Sequence, residues 1–142
     1  LRNPDWVSAV VQFLGTLYFN AMTIRALVEP FVSQQQANHA IWRPDVVGSS
    51  LFLVSSIVAW HPVARERRHA HVARRSVWIC QANLWGSIAF GVSAVGAFYT
   101  VNGALRNPAL ANWATFVGGV FFFIGAVLLL PRWTRLPARS SD

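Results

Sequence analysis

Four apolar stretches dominate this sequence: residues 6–28, 44–60, 77–99 and 110–130. Each is close to the roughly 20 residues that a helix needs to cross about 30 Å of hydrocarbon. Inside a bilayer the backbone has to satisfy its own hydrogen bonds. None of the runs alternates in polarity as a barrel strand would, so each reads as a helix. The second is the shortest, and its ends are expected to reach into the headgroup layer.

Composition agrees. Of 142 residues 54% are hydrophobic and 12% charged, about half the charge of an average soluble domain. All twelve basic residues are Arg, against five acids, for a net charge of +7. This argues against a soluble enzyme and against a disordered tail. A nucleic-acid partner is not expected, because a basic nucleic-acid binder could not hide four such runs. Arg2, Arg65, Arg67, Arg68, Arg74, Arg75, Arg132, Arg135 and Arg139 fall on one side of the expected spans, and only Arg25, Arg43 and Arg106 on the other. Positive charge is retained in the cytoplasm, so both termini and the 61–76 loop are expected inside. Trp6, Trp42, Trp60, Trp78, Trp113 and Trp133 sit at span ends, where an indole buries its ring and keeps its N–H wet. The single Cys80 lies in an apolar run and reads as a small buried hydrophobe. The chain starts at Leu1 rather than Met, and residues upstream of it are expected.

A shift of about 70 residues lays one half of the chain on the other. The stretch 12–19 matches 83–90, and 47–53 matches 117–123. Each unit would cross the membrane twice, which makes it a parallel repeat. The expected fold is therefore an all-α membrane protein. Its four transmembrane helices form two parallel-repeat helical hairpins, packed as one four-helix domain. The first unit covers about 1–64 and the second about 72–135, with 136–142 as a cytoplasmic tail. Gly48, Ser49, Ser55 and Ser56 are echoed by Gly118, Gly119, Gly125 and Ala126. Spacings of seven place these small residues on one face, where backbones can approach.

The first span carries Gln12, Thr16, Asn20 and Thr23, whose spacing puts them on one helical face. An unpaired amide in lipid costs a few kcal/mol, so this stripe is expected to face protein. It would serve as an interhelical seam, a docking face for a partner helix or a solute path. Its repeat equivalents are Asn83, Ser87, Gly91 and Ala94. With Gly48, Ser55, Gly118 and Gly125 these residues form the expected packing surface. No carboxylate or histidine sits in mid-span, which weighs against an ion-coupled transporter.

Arg25, Glu29, Arg43 and Asp45 cluster near the other ends of the first two helices. Arg25 with Asp45, and Glu29 with Arg43, would clamp the hairpin mouth. Gln34, Gln35, Gln36 and Asn38 between them read as an uncharged loop. The run Arg65, Arg67, Arg68, Arg74, Arg75 fixes topology and is suited to anionic lipid phosphates or an acidic cytoplasmic partner. His61, His69 and His71 lie in the same loop, but no cysteine or carboxylate pattern completes a metal site. No phosphate loop, nucleophile elbow or catalytic carboxylate pair is present. No catalytic residue, metal or cofactor is expected.

The segment Trp42-Arg43-Pro44-Asp45-Val46-Val47-Gly48-Ser49, followed by Leu51-Phe52-Leu53-Val54-Ser55, resembles the helix signature of YrhK-like membrane proteins. So does Gly118-Gly119-Val120-Phe121-Phe122-Phe123-Ile124-Gly125-Ala126. Asn3-Pro4, Gln12 to Thr16 and Phe19-Asn20 resemble the start of the longer actinobacterial relatives. The resemblance implies a small helical integral membrane protein with no established enzymatic activity, and it transfers no catalytic residues. The all-Arg, Ala/Val-rich usage fits a high-GC bacterium and hence its inner (plasma) membrane. The expected function is a non-catalytic accessory subunit packed beside other integral membrane subunits, as in a transporter or respiratory assembly. The alternative is a small homo-oligomeric solute transporter or channel lined by Gln12, Asn20 and Asn83. A lipid-directed enzyme stands behind both, because no acid, base or nucleophile lies at membrane depth.

Overall fold

The computed structural model describes residues 3–28, 33–67 and 74–130. It is all-helical, with no strand among the described residues and one isolated bridge between Tyr99 and Leu105. Helix α1 is Pro4–Val28, α2 is the short Gln34–Ala37, α3 is Arg43–Arg67, α4 is Arg74–Gly96 and α5 is Pro108–Leu129. The π-helical turn Asn38–Trp42 joins α2 to α3 without a break, so residues 34–67 form one rod. Pro44 lacks the N–H that the helix would use there. The wider π turn just before it carries the rod through.

The second rod is thus longer at both ends than the expected 44–60. Asn107 caps α5 by accepting the Leu110 N–H at 3.0 Å, with Pro108 in the first turn. Asn3 plays the same part for Asp5 at the start of α1. Among the described residues, three helical segments are long and apolar enough to cross a membrane: Pro4–Val28, Gln34–Arg65 and Pro108–Leu129. Helix α4 has the length, but Arg74, Arg75, Gln81, Asn83, Ser87 and Ser93 dilute its apolar character.

The principal helix contacts run from α1 to α3, from α3 to α4 and from α4 to α5. These contacts order the long helices α1, α3, α4, α5 in a row with α1 and α5 at its ends, while Phe19 of α1 also meets Phe90 of α4 and Phe52 of α3 meets Phe122 of α5. What is buried is small. The largest fully buried side chains are Ser56 and Ser87, while Trp85, Trp113, Phe116 and Phe123 all stand exposed. In water such a surface would aggregate; in hydrocarbon it is solvated, and small interior residues let the helices close.

Two contacts set the spacing within the row. A Cβ on Gly15 would lie 3.1 Å from the Gly48 carbonyl and 2.8 Å from the Phe52 ring, so α1 meets α3 backbone to backbone. A Cβ on Gly86 would lie 3.1 Å from the Gly118 carbonyl and 2.9 Å from the Phe122 ring, and α4 meets α5 in the same way. Phe19, Phe52, Phe90 and Phe122 fill the centre, with ring centroids 5.0 to 6.2 Å apart in the contacting pairs.

Candidate functional site

Polar side chains at membrane depth fall into two groups, those that join helices and those that face outward. Among the first, Ser8 and Ser55 each donate to the other's carbonyl at 3.0 and 2.9 Å, tying α1 to α3. Ser56 and Ser87 hydroxyls meet at 2.8 Å between α3 and α4. Ser87 donates its one proton to Asn83 O, so Ser56 is the donor of that pair. Ser93 donates to Ala111 O, which makes Thr115 the donor of the 2.6 Å contact between their hydroxyls. Gly48, Ser55, Gly118 and Gly125 all lie in these seams. A Cβ on Gly125 would meet Asn83 Oδ1 at 2.8 Å.

The α1 stripe departs from expectation. Gln12 is half-buried, but Thr16, Asn20 and Thr23 are exposed on this chain. The reason is geometric: Gly15 and Phe19, on the neighbouring face, take the close approach to α3. Thr16 and Thr23 return their hydroxyl protons to Gln12 O and Phe19 O, one turn back in their own helix. The Asn20 carboxamide meets no partner among the described residues.

Beside α2, at the N-terminal end of the second rod, the residues read as an uncharged loop hold a clasp. Gln34 and Asn38 both donate to Tyr99 O at 2.9 Å, and Asn38 Oδ1 accepts the Tyr99 N–H at 2.9 Å. Asn38 thereby pairs with the Tyr99 backbone as a strand residue would. Tyr99 belongs to a tight loop closed by Arg106 N to Phe98 O and by Gly103 at a φ of 75°. Trp42 sits edge-on to Phe98 and donates its indole N–H to Ala94 O. The only sequence signal for this clasp was the amides themselves, which carry no information about a loop 61 residues away.

Of the expected clamp, Asp45 turns inward, 4% exposed and hydrogen-bonded to Ser49. Arg25 and Arg43 are exposed on their helices. Glu29, and with it the Glu29–Arg43 pair, lies outside the described residues. In the basic run Arg65 and Arg74 are exposed. Arg75 instead folds onto α5 and donates to the Leu128 and Leu130 carbonyls, the orphan acceptors at its C-terminus. Arg68, His69, His71 and the Arg67 side chain lie outside the described residues. Among the described residues, no three His, Cys, Asp or Glu side chains come together as a metal site. A partly open cavity of about 260 Å³ lies between α3 and α4, with Val46, Ser49, Leu53 and Gly91 in its apolar wall.

No family model matches the chain, and no curated protein or solved structure matches it significantly.

Proposed function

We propose that this chain is a non-catalytic integral membrane subunit that acts by lateral helix packing within a larger membrane assembly, such as a transporter or respiratory complex. The observation that carries this reading is the outward-facing carboxamide of Asn20, between Thr16 and Thr23 on a helix long enough to span a bilayer. In lipid that amide costs a few kcal/mol, and a neighbouring protein removes the cost. In this reading α4 is a fourth crossing, and the two hairpins are copies of one unit. The matched contacts of Gly15 with Gly48 and of Gly86 with Gly118 support the duplication. The arginine bias puts both termini on the cytoplasmic face of a bacterial inner membrane, where Arg65 and Arg74 meet anionic lipid or a cytoplasmic part of the assembly. The resemblance to YrhK-like proteins implies a small helical integral membrane protein with no established enzymatic activity.

Purification at native expression in a mild detergent, with sizing and mass spectrometry, tests the proposal. A large particle with stoichiometric foreign subunits is expected. A particle containing this chain alone overturns the accessory role. The Thr16, Asn20 and Thr23 stripe favours one second reading, a solute path between copies of the chain. It predicts that Asn20→Leu abolishes solute flux in proteoliposomes while folding is kept, and it fails if no solute moves.

A further inference from the structure

We infer that a second copy of this chain covers the polar face of α1 with the small-residue face of its α5, repeating between chains the contact that α3 makes with α4 inside one. This rests on the reading that the α1 face is covered by protein, and it names that protein.

The internal contact is defined by four bonds. Ser56 meets Ser87, Ser49 Oγ lies 3.4 Å from Phe90 O, Trp42 donates to Ala94 O at 3.0 Å, and the Cys80 thiol points at Ala59 O at 3.7 Å. The face of α3 that carries Ser49 and Ser56 has an equivalent on α5 at the offset of about 70 residues, namely Gly119 and Ala126. The face of α4 that carries Cys80, Ser87, Gly91 and Ala94 has one on α1: Ala9, Thr16, Asn20 and Thr23. The register is fixed by the matched glycine contacts, since Gly15 and Gly86 stand at equivalent places, as do Gly48 and Gly118.

Both equivalent faces are vacant. Ala9, Thr16, Asn20, Thr23, Gly119 and Ala126 are all exposed, and a Cβ on Gly119 would meet nothing within 4 Å. The row thus ends on the two halves of a contact it has already made once at its centre. Their chemistry fits. Thr16 bonds Gln12 O at 3.0 Å as Ser87 bonds Asn83 O at 2.8 Å, so the hydroxyl is held close to the same helix in both places. Gly91 leaves a cavity beside α3; at the equivalent place between chains α1 carries Asn20, a side chain large enough to occupy such a space. Where Trp42 donates across the internal seam, α5 carries the exposed Asn112, a second amide able to bond across helices. Gly119 and Ala126 supply the short side chains that let the backbones close. Because the joining face differs from the face joined, the contact is heterologous, and each copy keeps one open end until a ring closes.

Disulfide trapping in native membranes tests this in chains lacking the native cysteine (Cys80→Ser). The pair Thr16→Cys with Ala126→Cys corresponds to Ser56 and Ser87. On oxidation it is expected to move most of the chain to dimer mass and above on non-reducing gels. Thr16→Cys and Ala126→Cys in separately tagged chains should give the mixed dimer alone, and neither should dimerise by itself. Ser56→Cys with Ser87→Cys should close within one chain with no change of mass, showing that the fold and oxidation are sound. Absence of the interchain bond while the internal pair closes overturns the inference, as does equal dimerisation of Thr16→Cys alone. Should Ser56→Cys/Ser87→Cys fail to accumulate, the exposed pair Asn20→Cys and Gly119→Cys gives the same readout. A photo-cross-linker at residue 16 that captures a different protein would sink the second copy yet leave the lateral-packing role intact. Capture of this chain only, with no foreign subunit in the purified particle, does the reverse.

Discussion

Gly15 and Gly48 touch backbone to backbone: a Cβ on either would lie 3.1 Å from the carbonyl oxygen of the other. No rotamer change relieves such a clash, because the opposing atom is main chain. Gly48→Leu is expected to force α1 off α3 and lower stability by about 1–3 kcal/mol, the usual cost of overpacking. Gly91→Ala, where an added Cβ meets nothing within 4 Å, should not lower stability. Thermal unfolding in detergent compares them, and equal Tm values would refute the close contact.

The buried hydroxyl pair gives a second test. Ser56→Ala and Ser87→Ala should each destabilise, and the double variant should cost less than their sum. Coupling across a membrane interior averages about 0.6 kcal/mol and reaches about 1.7. A cycle with no coupling would mean that Ser56 and Ser87 do not share a proton between α3 and α4.

Asn38→Ala removes the acceptor of the Tyr99 N–H and one donor to the Tyr99 carbonyl. Loss of such a partner costs about 1 kcal/mol or more. Amide exchange at Tyr99 should quicken several-fold, while the Arg106 amide, bonded to Phe98 O, keeps its rate. Uniform acceleration of both would show that the clasp holds the whole loop rather than one residue.

Arg75→Gln should fray the last turn of α5. The guanidinium donates to two carbonyls there, and charge-assisted bonds are the stronger kind, about 1.5–3 kcal/mol. The amides of Leu129 and Leu130 are expected to exchange faster, with Gly118 unaffected. Arg74→Gln, an exposed neighbour, serves as the control and should change neither.

Much of this arrangement was legible in the sequence. Long apolar runs located the helices, and the small residues Gly48, Ser55, Gly118 and Gly125 marked seams, because only small side chains allow close approach. The α1 stripe shows where that legibility ends. Spacing established that Gln12, Thr16, Asn20 and Thr23 share a face. Which way the face points was decided by Gly15 and Phe19 beside it, through partners on α3 and α4. Asn38 was harder still. Its amide matches the backbone of Tyr99, and main-chain groups leave no trace in residue identity. Asp45 read as half of a surface ion pair because charge is conspicuous, whereas the folded chain buries it against Ser49, one turn on in α3.

The order of contacts along the row bears on how the chain is assembled. Helices α1 and α3 finish their contact using residues already synthesised when α4 begins, so the first hairpin can close early. The Tyr99 backbone, by contrast, emerges last among the partners of Gln34 and Asn38. Their bonds to Tyr99 form only once the second hairpin has been made and packed. The clasp therefore works as a latch on completion, engaging only when both halves of the molecule are in the membrane.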